Sequence, residues 1–391
     1  MIDLHRSKGM RLVALGAIGA LTLAACGGTS SPGSSASGST AKPASSGSTS
    51  TTAGSTTAGS TTAGSATPGS APSGSAPSGS STTASGTAAV STHGKHYHFE
   101  LITKSNASPY WLAVKEGADA AAKKLGTVKV TFEAPPKGTD LTQQINMVNN
   151  AVTAHVDGII LAAQQPKALV GPVENAQKQG IPVITVDSGV SPNVSKSFLA
   201  TSNTAAAAAL AKYTAKLAGG HGQYGIVDFN QVASTGRLRP TGFKQGMASF
   251  PNFKFIGMQI SNNVIAKGKS EALAMIQSHP NLNLLFGAND RAALGVAEAV
   301  QAAHKAKSIV VAGFDADLGE LPLIKSGLIK ASVLQSPFQM GYQGVMEMVQ
   351  VKQGKSVPKR VDTPYFILTP KNIGTAKATH FIQQYVPSYK G

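Results

Sequence analysis

The chain has 391 residues, of which 41% are apolar and 13% are charged, and its formal net charge is +16 at pH 7. This length is enough for two or three domains. A single cysteine excludes a disulfide framework and any zinc site built from four cysteines. The charged fraction is low for a globular protein, where about 25% is typical, because the segment 27–94 carries one formal charge, Lys42.

The positive charge is spread over scattered lysines, with no run of five like charges. A nucleic-acid-binding protein would have a stripe of Arg and Lys with interleaved aromatic residues. We therefore expect no nucleic-acid partner. A lysine-rich surface beside anionic lipid or cell wall accounts for the charge, and an anionic ligand is the alternative.

The N-terminus has the pattern of an export signal. Arg6, Lys8 and Arg11 precede an apolar run over 12–23 that is too short to span a bilayer stably. Small residues follow and end at Cys26, and this stretch resembles a bacterial lipobox. The resemblance implies that 1–25 is removed as a lipoprotein signal peptide and that Cys26 carries diacylglycerol. An ordinary secretory signal cut nearby is the alternative.

The next segment, 26–94, is predicted to be the anchor cysteine followed by a tether. Residues 27–94 contain no Leu, Ile, Met, Phe, Tyr or Trp, and a five-residue repeat of the type TTAGS runs through 51–80. Such a sequence cannot bury enough apolar surface to offset its chain entropy. We expect a disordered tether that holds a folded part, starting at Lys95, to the extracytoplasmic face of the cell membrane. In an organism with two membranes this is the periplasmic side.

After residue 95 the chain alternates apolar, strand-like runs with helical patterns. The first predicted helix begins at Pro109, with Ser108 as a possible cap. The second follows Asp140 and has Gln143 three residues on, a start similar to a capping box. The predicted strands are 98–104, 128–133, 158–162, 183–187, 223–229, 253–260, 284–287, 309–314 and 330–334, and the later helices are 168–179, 205–218, 237–250, 266–279, 290–303, 318–326 and 337–353.

Strands that alternate with helices of 10–15 residues are typical of parallel sheets. Nine strands over about 300 residues exceed what one sheet of ordinary size holds, so two lobes fit better. The sequence therefore predicts an α/β protein with two doubly wound parallel-sheet lobes. In such folds the ligand lies beyond the carboxyl ends of the strands.

Polar side chains recur at those strand ends. Hydroxyl groups both donate and accept hydrogen bonds, and planar carboxylate, guanidinium and carboxamide groups suit vicinal pairs of them. Each hydrogen bond to a charged group contributes roughly 1.5–3 kcal/mol. The candidate site residues at strand ends are Lys104, Ser108, Tyr110, Trp111, Asp187, Ser188, Arg237, Asn289, Asp315 and Gln335.

Six segments resemble one family, the type I periplasmic sugar-binding proteins of ABC importers, in the ribose-binding-protein group. They are SPYWLAVKEGADAAAKKLG, IPVITVDSG, STGRLRPTGF, LLFGANDRAALG, VVAGFDAD and IKASVLQSPFQMG. The resemblance implies a monomer with a three-strand hinge, crossing near 201–203, 336–337 and 363–366. It implies an N-terminal lobe of 95–202 plus 336–365 and a C-terminal lobe of 203–335 plus 366–391.

The resemblance also implies roles for single residues. Tyr110 and Trp111 would stack on a sugar, and the remaining matching positions would bind its hydroxyls: Asp187, Arg237, Asn289, Asp315 and Gln335. Three positions depart from the ribose pattern: Ser188 stands where the family has an Arg, Asn263 where it has an aromatic, and Lys104 where it has a small polar residue. We expect a neutral monosaccharide or polyol, with an acidic sugar as the alternative.

The same residues can also have structural roles. Trp111 shares a helical stripe with apolar residues and can be a core residue. Asp187, Asp315 and Asn289 can each cap the next helix. Arg237 can pair with an acid such as Asp228 or Asp290.

Catalytic and cofactor motifs are missing from the sequence. A G-x-G-x-x-G match at 220–225 follows a helix and precedes a strand, the reverse of the order a dinucleotide site requires. No nucleophile–base signature occurs, and we expect no cofactor and no metal. The sequence predicts a lipid-anchored substrate-binding protein, not an enzyme, that delivers its ligand to the permease of an ABC transporter. A sensory receptor of the same fold is the alternative.

Overall fold

A computed structural model describes residues 90–385 and 389. The predicted signal peptide, Cys26 and the predicted tether as far as residue 89 lie outside these residues. The described part contains twelve strands and ten helices. None of these helices is both long and apolar enough to cross a membrane.

The N-terminal lobe is built on one sheet of six parallel strands. Its strands are β1 (Tyr97–Ile102), β2 (Val128–Glu133), β3 (Gly158–Leu161), β4 (Val183–Val186), β5 (Phe198–Thr201) and β11 (Val361–Thr363), in the order β11-β5-β4-β3-β1-β2. Helices α1 (Pro109–Leu125) and α9 (Pro337–Lys352) cover one face, and α2 (Leu141–Thr153) and α3 (Val170–Lys178) cover the other. Both faces are buried, and the central strands β3 and β4 are accordingly almost wholly apolar.

The C-terminal lobe repeats this plan. Its strands are β6 (Gly222–Asp228), β7 (Phe253–Ile260), β8 (Leu282–Gly287), β9 (Val310–Asp315), β10 (Ile329–Leu334) and β12 (Phe366–Leu368), in the order β12-β10-β9-β8-β6-β7, with β12 alone antiparallel to its neighbour within the described sheet. Helices α4 (Asn203–Leu217) and α5 (Ser234–Met247) cover one face, and α6 (Ile265–Ser278) and α7 (Asp290–Ala302) the other. The short helices α8 (Glu320–Lys325) and α10 (Ala376–Ile382) follow β9 and β12.

The strand order reverses once in each sheet, beside β1 and beside β6. This reversal defines a doubly wound sheet and opens a crevice at the carboxyl ends of the strands. The chain passes between the lobes three times, from β5 to α4, from β10 to α9 and from β11 to β12. The predicted architecture, two doubly wound parallel-sheet lobes, is confirmed.

The position of α1 is fixed by very close packing against α9. A Cβ atom at Gly117 would lie 1.9 Å from the carbonyl oxygen of Phe338, and one at Gly341 would lie 1.9 Å from a carbonyl oxygen of α1. Only glycine permits this approach. Because the first turn of α1 carries Tyr110 and Trp111, the same contact holds both aromatic rings at the edge of the crevice.

Candidate functional site

A cavity of about 900 Å³ lies between the lobes at the carboxyl ends of the strands. This volume is within the range of small-molecule sites. Eight of the predicted site residues line it: Lys104, Ser108, Tyr110, Trp111, Asp187, Asn263, Asn289 and Asp315. Ser188, Arg237 and Gln335 are not among the lining residues.

A buried ion pair forms the N-terminal wall of the cavity. Asp187 follows β4, and its Oδ1 accepts a hydrogen bond from the Tyr110 hydroxyl at 2.9 Å. Its Oδ2 accepts from Lys104 Nζ at 3.3 Å and from the Ser188 hydroxyl at 2.6 Å. Lys104 Nζ also donates to Ser188 Oγ. Ser188 therefore lies behind the wall and orients the two charged groups.

The charges of this pair respond to burial and to each other. Burial alone would raise the pKa of Asp187, but Lys104 and then Arg239 outweigh it and hold that pKa below its ordinary value. Burial lowers the pKa of Lys104, while the Asp187 carboxylate opposes this change. We conclude that Asp187 is ionised at neutral pH and that its cation is largely shielded from solvent.

Trp111 is both a core residue and a lining residue. Its side chain is 8% exposed, and its ring meets that of Tyr110 edge to face, with centroids 4.9 Å apart. Lys104 Nζ lies 5.5 Å from the centre of the Trp111 ring. The interpretation as core and the interpretation as lining residue are therefore compatible.

A second buried ion pair forms the C-terminal wall. Asp315 ends β9, and its Oδ2 accepts from Arg239 Nη1 at 3.0 Å while its Oδ1 accepts from Gln335 Nε2 at 2.5 Å. Arg239 Nε donates to Asn203 Oδ1 at 2.8 Å. Burial alone would lower the pKa of Arg239, but the Asp315 carboxylate raises it above its ordinary value. Gln335 does not line the cavity and instead holds the Asp315 carboxylate in place.

Both carboxylates lie on unusual backbone. The φ angle is 58° at Asp187 and 90° at Asp315, and Asn263 has a φ of 60°. Residues other than glycine are uncommon in this left-handed region, and such strain of about 1–3 kcal/mol per residue concentrates at functional sites. The strain therefore supports a role in ligand binding for both strand ends.

The rest of the C-terminal wall is polar. At Asn263 the family that the sequence resembles has an aromatic residue. Asn263 Oδ1 accepts from Asn289 Nδ2 at 2.8 Å, and Asn289 Oδ1 accepts from the N–H of Ala292, capping α7. Asn289 thus caps a helix and lines the cavity at once. Its neighbour Asp290 also lines the cavity, and burial together with Asp315 raises the pKa of Asp290 to about 7.

The predicted position of Arg237 at the ligand is corrected by the structure, because Arg237 does not line the cavity. Its Nη1 donates to the carbonyl oxygens of Gln231 and Val232 on the exposed side of α5, and in the described part of the chain it pairs with neither Asp228 nor Asp290. The arginine that reaches the cavity is Arg239.

The physical reason for this correction is the register of α5. Residues two apart on an α-helix point about 200° apart, so only one of the two arginines can face inward. Arg239, Phe243 and Met247 recur at a spacing of four and all three are buried. That spacing is a signal in the sequence that selects Arg239.

Sequence reasoning also missed Gln164, which follows β3. It lines the cavity, and its Nε2 donates to the carbonyl oxygen of Lys104 at 3.2 Å. Its position could have been found because it too lies just beyond the carboxyl end of a strand. Other lining residues that were not predicted include Lys137, Asn230, Gln231, Asp290 and Arg291.

The arrangement suits binding. The two buried pairs contribute two positive and two negative side chains, so together these four side chains carry no net formal charge. Over the described residues, no group of three or more His, Cys, Asp or Glu side chains is placed to hold a metal ion. Two lobes that both contribute polar groups to one cavity between them are typical of a ligand-binding protein.

Comparison with known proteins agrees with this class. The family described as "Periplasmic binding protein domain" matches residues 99–356. The chain is 29% identical over 283 residues to a D-ribose/D-allose-binding protein of Pseudomonas aeruginosa, which covers 69% of this chain and 88% of that protein. It is 25% identical over 277 residues to a ribose import binding protein of Bacillus subtilis, covering 71% and 88%.

Solved structures give the same result. An ABC transporter solute-binding protein from Agrobacterium vitis with bound D-fucose is 31% identical, with a TM-score of 0.69 and coverage of 72% of this chain and 98% of that chain. A carbohydrate transporter solute-binding protein from Agrobacterium radiobacter, in complex with D-arabinose, is 30% identical, with a TM-score of 0.70 and coverage of 73% and 99%.

The chain belongs to the periplasmic binding protein family. The predicted resemblance to the type I sugar-binding proteins is confirmed, as is the prediction that the chain is a substrate-binding protein and not an enzyme. Membership of this family also places the folded part on the extracytoplasmic side of the membrane.

Proposed function

We propose that the cavity binds a neutral monosaccharide or polyol and that both lobes contact it. The ligand-binding residues in this proposal are Lys104, Ser108, Tyr110, Trp111, Asp187, Asn263, Asn289 and Asp315, with Arg239 in place of Arg237. Ser188 and Gln335 orient the two carboxylates from behind.

The hydrogen-bonding capacity left at the two ion pairs carries this proposal. A carboxylate offers about four acceptor sites; Asp187 accepts from three donors and Asp315 from two. Among the described residues no bond uses Arg239 Nη2, which leaves two N–H donors, and Lys104 has one of three left. Unused donors and acceptors side by side match hydroxyl groups, which both donate and accept.

Charge balance favours a neutral ligand. An anionic ligand would meet Asp187 and Asp315, which are buried at the same place as the two cations. Leaving a buried charge without its partner is strongly unfavourable. An acidic sugar would instead need cations outside these pairs, and among the lining residues only Lys137 and Arg291 fit.

Delivery to an ABC permease and anchoring through a lipid on Cys26 complete the proposal. The relatives support delivery, because one of them is named for ribose import and others are described as transporter solute-binding proteins. The lipobox-like stretch ending at Cys26 and the repeat-rich segment after it support the anchor.

A thermal-shift panel on the full-length chain tests the ligand class. The panel contains D-ribose, D-allose, D-arabinose, D-fucose, xylitol, D-glucuronate and adenosine. A ligand at 100 times its dissociation constant stabilises by about 2.7 kcal/mol, which corresponds to several degrees in melting temperature. A shift with a neutral sugar or polyol supports the proposal. A shift with D-glucuronate or adenosine alone contradicts it.

Two further measurements test transport and anchoring. Deleting the gene should abolish uptake of the radiolabelled sugar that binds in the panel. Normal uptake of that sugar, together with loss of the cell's signalling response to it, would instead establish a sensory receptor.

Metabolic labelling with radioactive palmitate should label the wild-type chain and not the Cys26→Ser variant. Equal labelling of both chains would contradict the lipid anchor.

A further inference from the structure

The C-terminal segment after β12 lies outside the residues that match the family. It is fastened to the C-terminal lobe by α10. Phe381 of α10 stacks on Phe366 of β12 with ring centroids 5.5 Å apart, and the Thr375 side chain accepts a hydrogen bond from the N–H of Ala378 to cap the helix. This packing delivers the next residues of the chain, up to Tyr385, to the region between the lobes.

Tyr385 is buried, and it contacts one residue from each half of the site. Its ring centroid lies 6.0 Å from that of Tyr110, in the first turn of α1. Its hydroxyl oxygen accepts a hydrogen bond from the backbone N–H of Gln335 at 3.3 Å. Gln335 lies between β10 and α9, where the chain crosses from one lobe to the other.

Both of these neighbours hold a carboxylate of the cavity. Tyr110 donates to Asp187, and Gln335 donates to Asp315. Tyr385 does not line the cavity. It is therefore one step behind both carboxylates, on a segment that no predicted element of the sequence included.

We propose that Tyr385 is a positioning residue of the binding site. Its ring sets the rotamer of Tyr110 and its hydroxyl sets the backbone at Gln335, so that one side chain aligns Asp187 with Asp315. The proposal rests on the proposed sugar site, since alignment matters only for a ligand that contacts both carboxylates. The alternative is that Tyr385 fills space in the core without affecting the site.

Trp111 is the sole tryptophan in the chain, and its ring touches that of Tyr110. Its fluorescence in the full-length, ligand-free chain therefore reports the local arrangement without any knowledge of the ligand. Tyr385→Leu, which removes the ring, should shift the Trp111 emission to longer wavelength and increase its quenching by acrylamide. Tyr213→Leu is the matched control, because Tyr213 is a partly buried tyrosine packed against the core on α4, away from the cavity.

The second readout is the dissociation constant of the panel sugar that binds most tightly. Tyr385→Leu should weaken it about tenfold, and Tyr385→Phe, which keeps the ring and loses the acceptor for Gln335, about threefold. A purely structural role predicts that Tyr385→Leu and Tyr213→Leu both melt at a lower temperature than the wild type. It also predicts that the two variants have the same Trp111 emission and the same sugar affinity. That result, or an unchanged affinity of a folded Tyr385→Phe together with an unchanged emission of Tyr385→Leu, overturns the proposal. If no panel compound binds the wild type, the proposed function fails while the emission of Trp111 still decides the role of Tyr385.

Discussion

The two walls of the cavity hold a buried aspartate beside a cation in the same way, but they differ in the side chains that surround this pair. Each places a strand-end aspartate on strained backbone and pairs it with a buried cation, Lys104 in the N-terminal lobe and Arg239 in the C-terminal lobe. The N-terminal wall then adds the aromatic pair at the start of α1. The C-terminal wall adds carboxamides and a carboxyl group.

This difference separates two contributions to binding. The N-terminal wall offers an apolar face and an aspartate whose acceptor sites are mostly occupied. The C-terminal wall offers more unused donors and acceptors, on Asp315 and Arg239. We therefore expect the C-terminal ion pair to contribute most of the affinity for hydroxyl groups, and the N-terminal aromatic face to contribute less.

The largest expected effect comes from Arg239→Ala, with Arg237→Ala as its matched control two residues away. Losing Arg239 removes at least one charged hydrogen bond to the ligand and leaves the Asp315 carboxylate without its cation. The sugar affinity should therefore fall about 100-fold or more. Arg237→Ala should change it less than twofold, because its guanidinium bonds two backbone carbonyls and Arg237 itself does not line the cavity. Isothermal titration measures both, and the reverse ranking would restore Arg237 to the site.

Lys104→Met should have the next largest effect. It leaves the buried Asp187 carboxylate without its cation, a change that costs about 3–5 kcal/mol in other proteins. We expect a melting temperature lower by several degrees and a sugar affinity weaker by about tenfold or more. Lys137→Met is the control, since Lys137 is an exposed lysine of the same cavity. If the two variants bind the sugar equally well, Lys104 has no place in the site.

Trp111→Ala should weaken sugar binding about tenfold by removing the stacking face. Leu112→Ala, which changes the adjacent residue with a side chain 44% exposed, should leave the dissociation constant unchanged. Both are read by titration calorimetry, with circular dichroism as the check on folding. Equal losses in both variants would assign the effect to α1 as a whole and not to the aromatic ring.

The smallest expected effect concerns stability. Burial raises the pKa of Asp228 to about 6, and Gln231 opposes this change only in part. Since the folded state then binds a proton more tightly than the unfolded state, this group lowers the free energy of unfolding as pH rises from about 4 to 6. Asp228→Asn should raise the melting temperature at pH 7.5 by a few degrees, from at most about 3 kcal/mol, and have little effect at pH 4.

Asp187→Asn should show the opposite sign in the same pH series. The pKa of Asp187 is lowered in the folded protein, so its ionised form stabilises the fold above the unfolded pKa, and this stabilisation is lost as pH falls. The variant should therefore melt at a lower temperature than the wild type at pH 7.5. Two variants with the same sign at pH 7.5 would contradict the opposite pKa shifts of Asp228 and Asp187.

Much of the fold and of the site follows from local rules. Alternating strands and helices predict the parallel sheets, and the strand-end rule predicts Asp187 and Asp315. The strands that were missed are β5, β11 and β12. β11 and β12 have three residues each, too few for an alternating pattern to register, whereas β5 has four, as do the predicted β3 and β4. Arg237 was preferred to Arg239 on the resemblance alone, although the predicted helix 237–250 already contains the spacing of Arg239, Phe243 and Met247 that selects Arg239.

Other features depend on long-range contacts that no local pattern contains. Tyr385 lies 50 residues after Gln335 in the chain, yet their atoms are hydrogen-bonded. The supporting role of Ser188, behind Lys104 and Asp187, likewise follows only from three-dimensional packing.

Titration calorimetry of the tightest panel sugar into the wild type, Asp187→Asn and Asp315→Asn tests the central claim, that one neutral sugar is held by carboxylates of both lobes. The account predicts one site per chain and a weaker affinity in both variants, with the larger loss, about 100-fold, in Asp315→Asn because Asp315 has more unused acceptor sites. Wild-type affinity in folded Asp315→Asn would contradict it.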